Sequence, residues 1–310
     1  MQSRIDYFTK FMDFFWLRPE NAILLSIRAE KYAETLKYFD KDSIDVSCGD
    51  GIFSFITLGG EISNNYDMFQ AIDISQKRKG DFDTYDFYDK NYQIEVIKQP
   101  KNNYKYGTDW KKNLLKKAEV LSFYDNLIEH DNNKMMPIEE SSFGYVYSNS
   151  AYWVRQFENH INDLIKTTKP GGTIVLELKT KNINNYNSIN YATPYFGEKF
   201  GKIVDAGRLE TWKGLKEYEE YIKLIEKNDL VEIKNISPIY GDMLAYIWDI
   251  GMRPLFNPLA KLANTVDSDT RSSVKKEWCE IFLEMFSEYV SNYEAKPNSA
   301  IEWIVVLEKK

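Results

Sequence analysis

A chain of 310 residues, 43% hydrophobic and 28% charged, can bury a large core, and its composition excludes a disordered or fibrous protein. Its net charge of −7, with no long run of Lys and Arg to neutralise phosphates, argues against a nucleic-acid substrate. Two cysteines, Cys48 and Cys279, cannot build a disulfide framework, and a reducing, cytoplasmic setting fits them. Two histidines and two distant cysteines give no zinc-type spacing, so no metal is expected. The apolar stretch 11–17 is interrupted by Asp13 and reads as neither a signal peptide nor a membrane span; its aromatics are expected to pack under the first helix.

That helix is expected over 19–39, beginning at Pro19, whose fixed φ suits a first helical turn. A short strand over 43–46 runs into the glycine loop Asp45-Val46-Ser47-Cys48-Gly49-Asp50-Gly51, and a helix follows over 52–58. From 59 to 103 the periodicity lapses, which predicts an insertion. Strands are expected over 104–109, 124–130 and 143–148, with helices over 110–120 and 152–168. The second of these helices should stop at Lys169-Pro170-Gly171-Gly172. The nearly continuous apolar run 173–178 predicts a central strand covered on both faces. An irregular stretch over 181–214, a helix over 215–227 and a strand over 230–236 come next. Residues 240–295 form a third, mostly helical insertion, clearest over 274–289, and 300–308 is a closing strand. The alternation predicts one doubly wound α/β domain over 1–310, with its ligand at the carboxyl ends of the strands and insertions 59–103, 181–214 and 240–295 forming a lid region.

The loop needs glycine where the backbone turns sharply or a ligand comes close, and Gly49 and Gly51 meet that need. By itself it also approximates a dinucleotide fingerprint, so an NAD-linked oxidoreductase competes with other readings, as does a non-catalytic binding module. Three ordered motifs resemble class I S-adenosylmethionine-dependent methyltransferases. The first is the loop, with Asp45 ending the strand and Ser47 where that family usually has glycine. The second is Met136-Pro137-Ile138 leading to Phe143-Gly144-Tyr145-Val146, and the third is Lys169-Pro170-Gly171-Gly172-Thr173.

The resemblance implies a seven-stranded, mostly parallel sheet with the last strand antiparallel, S-adenosylmethionine as cofactor, and methyl transfer to a small-molecule acceptor. Oxygen is the expected atom, on a sugar or polysaccharide precursor. It implies cofactor contacts at Asp45, Ser47, Cys48, Gly49 and Gly51. Asp109 is assigned to the ribose, with Asp73 as its rival, because a helix follows Asp109 at once; Trp110 lies beside it. Asn132, then Asp131 and Asn133, are candidates for the adenine, although Asx residues at a strand end also favour plain turns. Ser148, Asn149 and Tyr152 should line the pocket near the methyl group. Arg18 is expected to meet the cofactor carboxylate. Acceptor-side candidates are Tyr152, Arg208 and Glu210. No general base stands out: His130 reads as structural and His160 as solvent-facing or capping.

Overall fold

The computed structural model describes residues 2–70, 94–205 and 212–310; of 203–205 it gives the backbone alone. Ser3 starts helix α1 (Arg4–Phe14) with a reciprocal capping box to Asp6, and Tyr7, Phe8, Phe11, Met12 and Phe14 are buried on its inner face. The aromatic stretch is therefore largely its own helix, packed against α2 (Pro19–Ala33), rather than a loop beneath it. Strand β1 (Ser43–Val46) enters the glycine loop and α3 (Ile52–Thr57) leaves it. The first insertion contributes a small antiparallel pair, β2 (Glu61–Ile62) and β3 (Val96–Lys98).

The main sheet continues with β4 (Tyr104–Asp109), β5 (Tyr124–Glu129), β6 (Phe143–Ser148) and β7 (Thr168–Lys179), with α4 (Lys112–Val120) after β4 and α5 (Phe157–Thr167) after β6. Helix α8 (Tyr218–Glu226) leads to β8 (Val231–Gly241), and β9 (Ala300–Lys309) closes the chain. The strand order is β5-β4-β1-β6-β7-β9-β8. The pairs from β5 to β7 are parallel, and β9 runs antiparallel to both β7 and β8. Parallel strands put their carboxyl ends on one edge, where the connecting loops gather.

Two expectations change here. Pro170-Gly171-Gly172 is not a turn before a separate strand: it lies within β7 as a bulge, with the β6 register slipping and Gly171 at φ 75°. The stretch 181–214 is not irregular throughout, since it carries α6 (Ser188–Phe196) and α7 (Glu198–Asp205), whose junction is Gly197 at φ 80°. The third insertion holds α9 (Asp242–Tyr246), a π-helical turn (Ile247–Met252), α10 (Phe256–Ala263) and the long α11 (Ser268–Asn292). Among the described residues, no helix is long and apolar enough to cross a membrane.

Candidate active site at the strand ends

The glycine loop is held from three sides. Cys48 N–H donates to Thr108 O (2.8 Å) and Gly49 N–H to Asp109 Oδ2 (3.1 Å), both on the neighbouring β4. Asp45 Oδ2 accepts from Ser54 Oγ (2.6 Å) in α3 and from Tyr124 OH (2.8 Å) in β5. Ser47, Gly49 and Gly51 all have positive φ, at 63°, 62° and 78°. Only glycine takes this conformation cheaply, which gives a physical reason for glycine at the position Ser47 occupies. Ser47 gains some compensation, because its Oγ accepts from Asn132 Nδ2 at 2.7 Å.

Gly51 is constrained twice: a Cβ there would stand 2.8 Å from the Tyr124 ring. Gly51→Ala is therefore expected to cost at least about 2 kcal/mol, from the left-handed φ and the overlap together. A thermal melt reads this, and an unchanged midpoint would contradict the account. Gly49 differs, with nothing within 4 Å of its would-be Cβ, so the loop presents bare backbone there.

Asp109 ends β4, is largely buried, and accepts from Gly49 N–H through Oδ2 and from Lys111 N–H (2.8 Å) through Oδ1. It thus sits at the end of the strand next to β1 with its carboxylate turned to the glycine loop. Its rival Asp73 lies outside the described residues, as do Arg208 and Glu210. The turn after β5 separates its three Asx residues. Asp131 Oδ1 accepts from the N–H and Nδ2 of Asn133 (both 3.0 Å), which is ordinary turn chemistry, while Asn133 Oδ1 accepts from Arg155 N–H (3.0 Å) in the segment before α5. Asn132 alone of the three reaches the glycine loop. Trp110, beside Asp109, is exposed.

Among the described residues, five buried polar atoms around this edge have no hydrogen-bond partner: Asp45 Oδ1, Thr108 Oγ1, Asn132 Oδ1, Ser148 Oγ and Ser150 Oγ. They come from β1, β4 and β6 and from the loops after β5 and β6. Each buried group left unsatisfied costs on the order of 1–3 kcal/mol, and a polar ligand seated at this edge would offset that cost. Burial pushes the Asp45 carboxyl up to about 6, against the pull of its Ser54 and Tyr124 hydrogen bonds. It also pushes the Cys48 thiol well up, which makes that group a poor nucleophile.

Three further sequence candidates, Arg18, His130 and His160, are buried. Arg18 is buried and its Nε meets Glu20 Oε1 at 2.6 Å; its Nη2 donates to Asn21 Oδ1 and its guanidinium lies 5.5 Å from the Phe256 ring centre. Its charge is thus met inside the helical layer. His160 is neither solvent-facing nor capping: it is buried on the inner face of α5, where desolvation lowers it to about 3 and keeps it neutral. Burial lowers His130 as well.

Sequence reasoning missed a group of charges at the carboxyl end of β7. Glu177 and Lys179 lie on one face of β7, Glu302 stands opposite Lys179 on β9, and Arg28 reaches down from α2. Arg28 Nε is 3.0 Å from Glu177 Oε2, Arg28 Nη2 is 2.7 Å from Glu302 Oε1, and Lys179 Nζ is 3.6 Å from Glu302 Oε2. Tyr147 OH donates to Glu177 Oε1 at 2.8 Å. Burial raises Glu177 to about 8 despite the adjacent arginine. The Lys179 ammonium is bounded by the rings of Tyr152 (5.0 Å), Trp212 (6.0 Å) and Trp248 (5.0 Å). Of these residues Tyr152 alone stands among the sequence candidates. The available signal was three charges inside apolar runs, at Ile27-Arg28-Ala29, Leu176-Glu177-Leu178 and Ile301-Glu302-Trp303. Buried charge in an otherwise apolar strand is expensive and often marks function.

A separate cavity of about 350 Å³, lined by Asp13, Phe14, Ile56, Ile62 and Tyr66 among others, lies at the far end of α3 from the glycine loop. It is not near the strand-end groups, and the converging polar atoms, rather than cavity size, locate the candidate site.

The strand order and the single antiparallel strand between β7 and β8 are those of the class I methyltransferase fold. No family model matches the sequence, and no curated protein does. Among solved structures the chain is similar to geranyl diphosphate C-methyltransferase from Streptomyces coelicolor A3(2), at 11% identity and a TM-score of 0.45, over 92% of this chain and 76% of that one. It is also similar to an SAM-dependent methyltransferase from Thermotoga maritima, at 9% identity and a TM-score of 0.43, over 93% and 91%. The cyclase SpnF matches at 11% identity and a TM-score of 0.45, over 92% and 80%. These overlaps are loose, and the fold assignment rests on strand order and direction.

Proposed function

We propose that the chain is an S-adenosylmethionine-dependent methyltransferase acting on a small-molecule acceptor. The observation that carries this reading is Asp109: a buried carboxylate at the end of the strand next to β1, turned toward a glycine loop with bare backbone at Gly49, on the same strand edge as unpartnered polar atoms of Asp45, Thr108 and Ser148. A cofactor with two ribose hydroxyls, an adenine amino group and an amino-acid end has the donors and acceptors to satisfy such a set. Asp109 would take the ribose, Asn132 the adenine edge, and the loop from Ser47 to Gly51, with Ser148, the methionine end.

When bound, the cofactor supplies a methyl group activated by its sulfonium. The protein's part is alignment and the exclusion of water. Tyr152 and the strand-end segment from Ser148 to Ser150 border both halves of the edge. The inserted stretches 181–214 and 240–295, which bring Trp212 and Trp248 to it, form the acceptor side of a single domain. The net negative charge favours a small acceptor over nucleic acid, and the buried free thiols suit a reducing, cytoplasmic setting. The sequence leads to an expectation of oxygen, on a sugar or polysaccharide precursor; the charges at the end of β7 argue for another atom, as set out below.

The antiparallel β9 supports this reading over an NAD-linked oxidoreductase, whose dinucleotide fold has a parallel sheet. Isothermal calorimetry with S-adenosylhomocysteine and with NAD tests it. Micromolar binding of the first and none of the second is expected. The reverse result would sink the proposal, and cofactor binding with no product across a broad acceptor panel would favour a non-catalytic role.

A further inference from the structure

The end of β7 lies two strands from the glycine loop, about 10 Å along the edge, on the side where an acceptor would approach. Two unrelated segments close over it. Trp212 follows the α6–α7 insertion, and Trp248 belongs to the π-helical turn after β8, a local distortion often associated with functional sites. Their rings stack 6.5 Å apart at 24°, and Trp248 is fixed by its Nε1–H donating to Asn21 Oδ1 at 2.6 Å. Tyr152 supplies the third wall from the loop after β6. Beside it, edge to face, Trp153 is 44% exposed, so the cage is one residue from solvent.

The chemistry of this cage is that of an ammonium site. Aromatic faces attract cations through their quadrupoles, the more strongly the less water is present. Two fully buried acidic side chains, Glu177 and Glu302, form the floor and share one arginine. The group held there is itself an ammonium, that of Lys179, carried on four rotatable bonds at the last position of β7.

We propose that Tyr152, Trp212 and Trp248 over Glu177 and Glu302 form the acceptor site, that it takes an amine or alkylammonium group, and that Lys179 holds this place until the acceptor displaces it. The chemical step rests on the methyltransferase reading. The bound ammonium first passes a proton to Glu302; the lone pair this frees on nitrogen then bonds to the methyl carbon as the carbon–sulfur bond breaks, whose electron pair stays on sulfur. The binding claim stands apart from the cofactor.

The test uses the full chain with tetramethylammonium chloride as probe and sodium chloride at matched concentration as control. Intrinsic tryptophan fluorescence should change saturably with the probe alone, and Trp248→Ala should weaken the response about tenfold. In the wild-type chain, acetylation of Lys179 by an amine-reactive ester, read by peptide mass, should rise at least about threefold as the probe expels the side chain into solvent. A fluorescence change no larger than with sodium chloride, together with unchanged Lys179 acetylation, overturns the proposal even if Trp248→Ala does not fold. S-adenosylhomocysteine calorimetry on the same sample is scored separately, so a cage that fails beside normal cofactor binding is distinguished from failure of the methyltransferase reading.

Discussion

Asp109→Ala is expected to weaken S-adenosylhomocysteine binding by about 1–3 kcal/mol, roughly 5- to 150-fold in Kd by calorimetry. Two effects add in that number. The carboxylate is the proposed partner of the ribose hydroxyls, and it also fixes the loop by accepting from the amides of Gly49 and Lys111. Asp109→Asn separates them: the amide oxygen can still accept from the backbone, but the charge is gone and one of the two acceptor oxygens becomes a donor. An intermediate loss is expected, because hydrogen bonds to a charged acceptor are about twice as strong as neutral ones. Unchanged affinity in Asp109→Ala, with Asp73→Ala damaging instead, would move the ribose contact to Asp73.

How far the fold could be read from the sequence depended on how each element is stabilised. Strands β1, β4, β6 and β9 follow from composition because each is an apolar or β-prone run bounded by turn residues, and buried strands depend on little else. Helices α6 and α7 did not stand out. Their boundary is Gly197, Pro194 lies inside α6, and their aromatic residues Tyr195, Phe196 and Phe200 are exposed, so no clean apolar stripe marks them. Helix α1 was hidden for a related reason: Asp13 broke what looked like an apolar run, although aromatic residues at helical spacing were already present.

The half of the site proposed for the cofactor was legible because local backbone geometry demands particular residues there. A positive φ calls for glycine at 49 and 51, and a helix immediately after Asp109 marks the end of a parallel strand. The acceptor half was not. Arg28, Glu177, Lys179 and Glu302 meet only through α2 crossing the sheet and through the β7–β9 register, and no spacing along the chain encodes that meeting. His160 failed for the same reason, since a polar residue on an amphipathic helix gives no sign of which face it joins until the neighbouring strand is known.

Arg28→Met is expected to produce the largest loss of stability, about 3–5 kcal/mol, which lowers the thermal midpoint on the order of 10 °C. Methionine fills much of the volume, so the loss is electrostatic: Glu177 and Glu302, both fully buried, lose the cation between them. The sign of the pH dependence follows from Glu177. Its folded pKa, about 8, lies above its ordinary 4.5, so the folded state binds the extra proton. Its contribution is fully present below about pH 4.5 and is lost as pH rises through about 8, at no more than about 1.4 kcal/mol per pH unit. Removing Arg28 raises that carboxyl further and extends the window upward. The midpoint difference between variant and wild type should therefore be smallest near pH 5.5, where Glu177 is already protonated, and grow toward pH 8.5. Adding Glu177→Gln to Arg28→Met should recover a large part of the loss at high pH and little at low pH. A difference independent of pH would mean that Arg28 matters only for packing, and that the buried carboxylates are not the charges that require it.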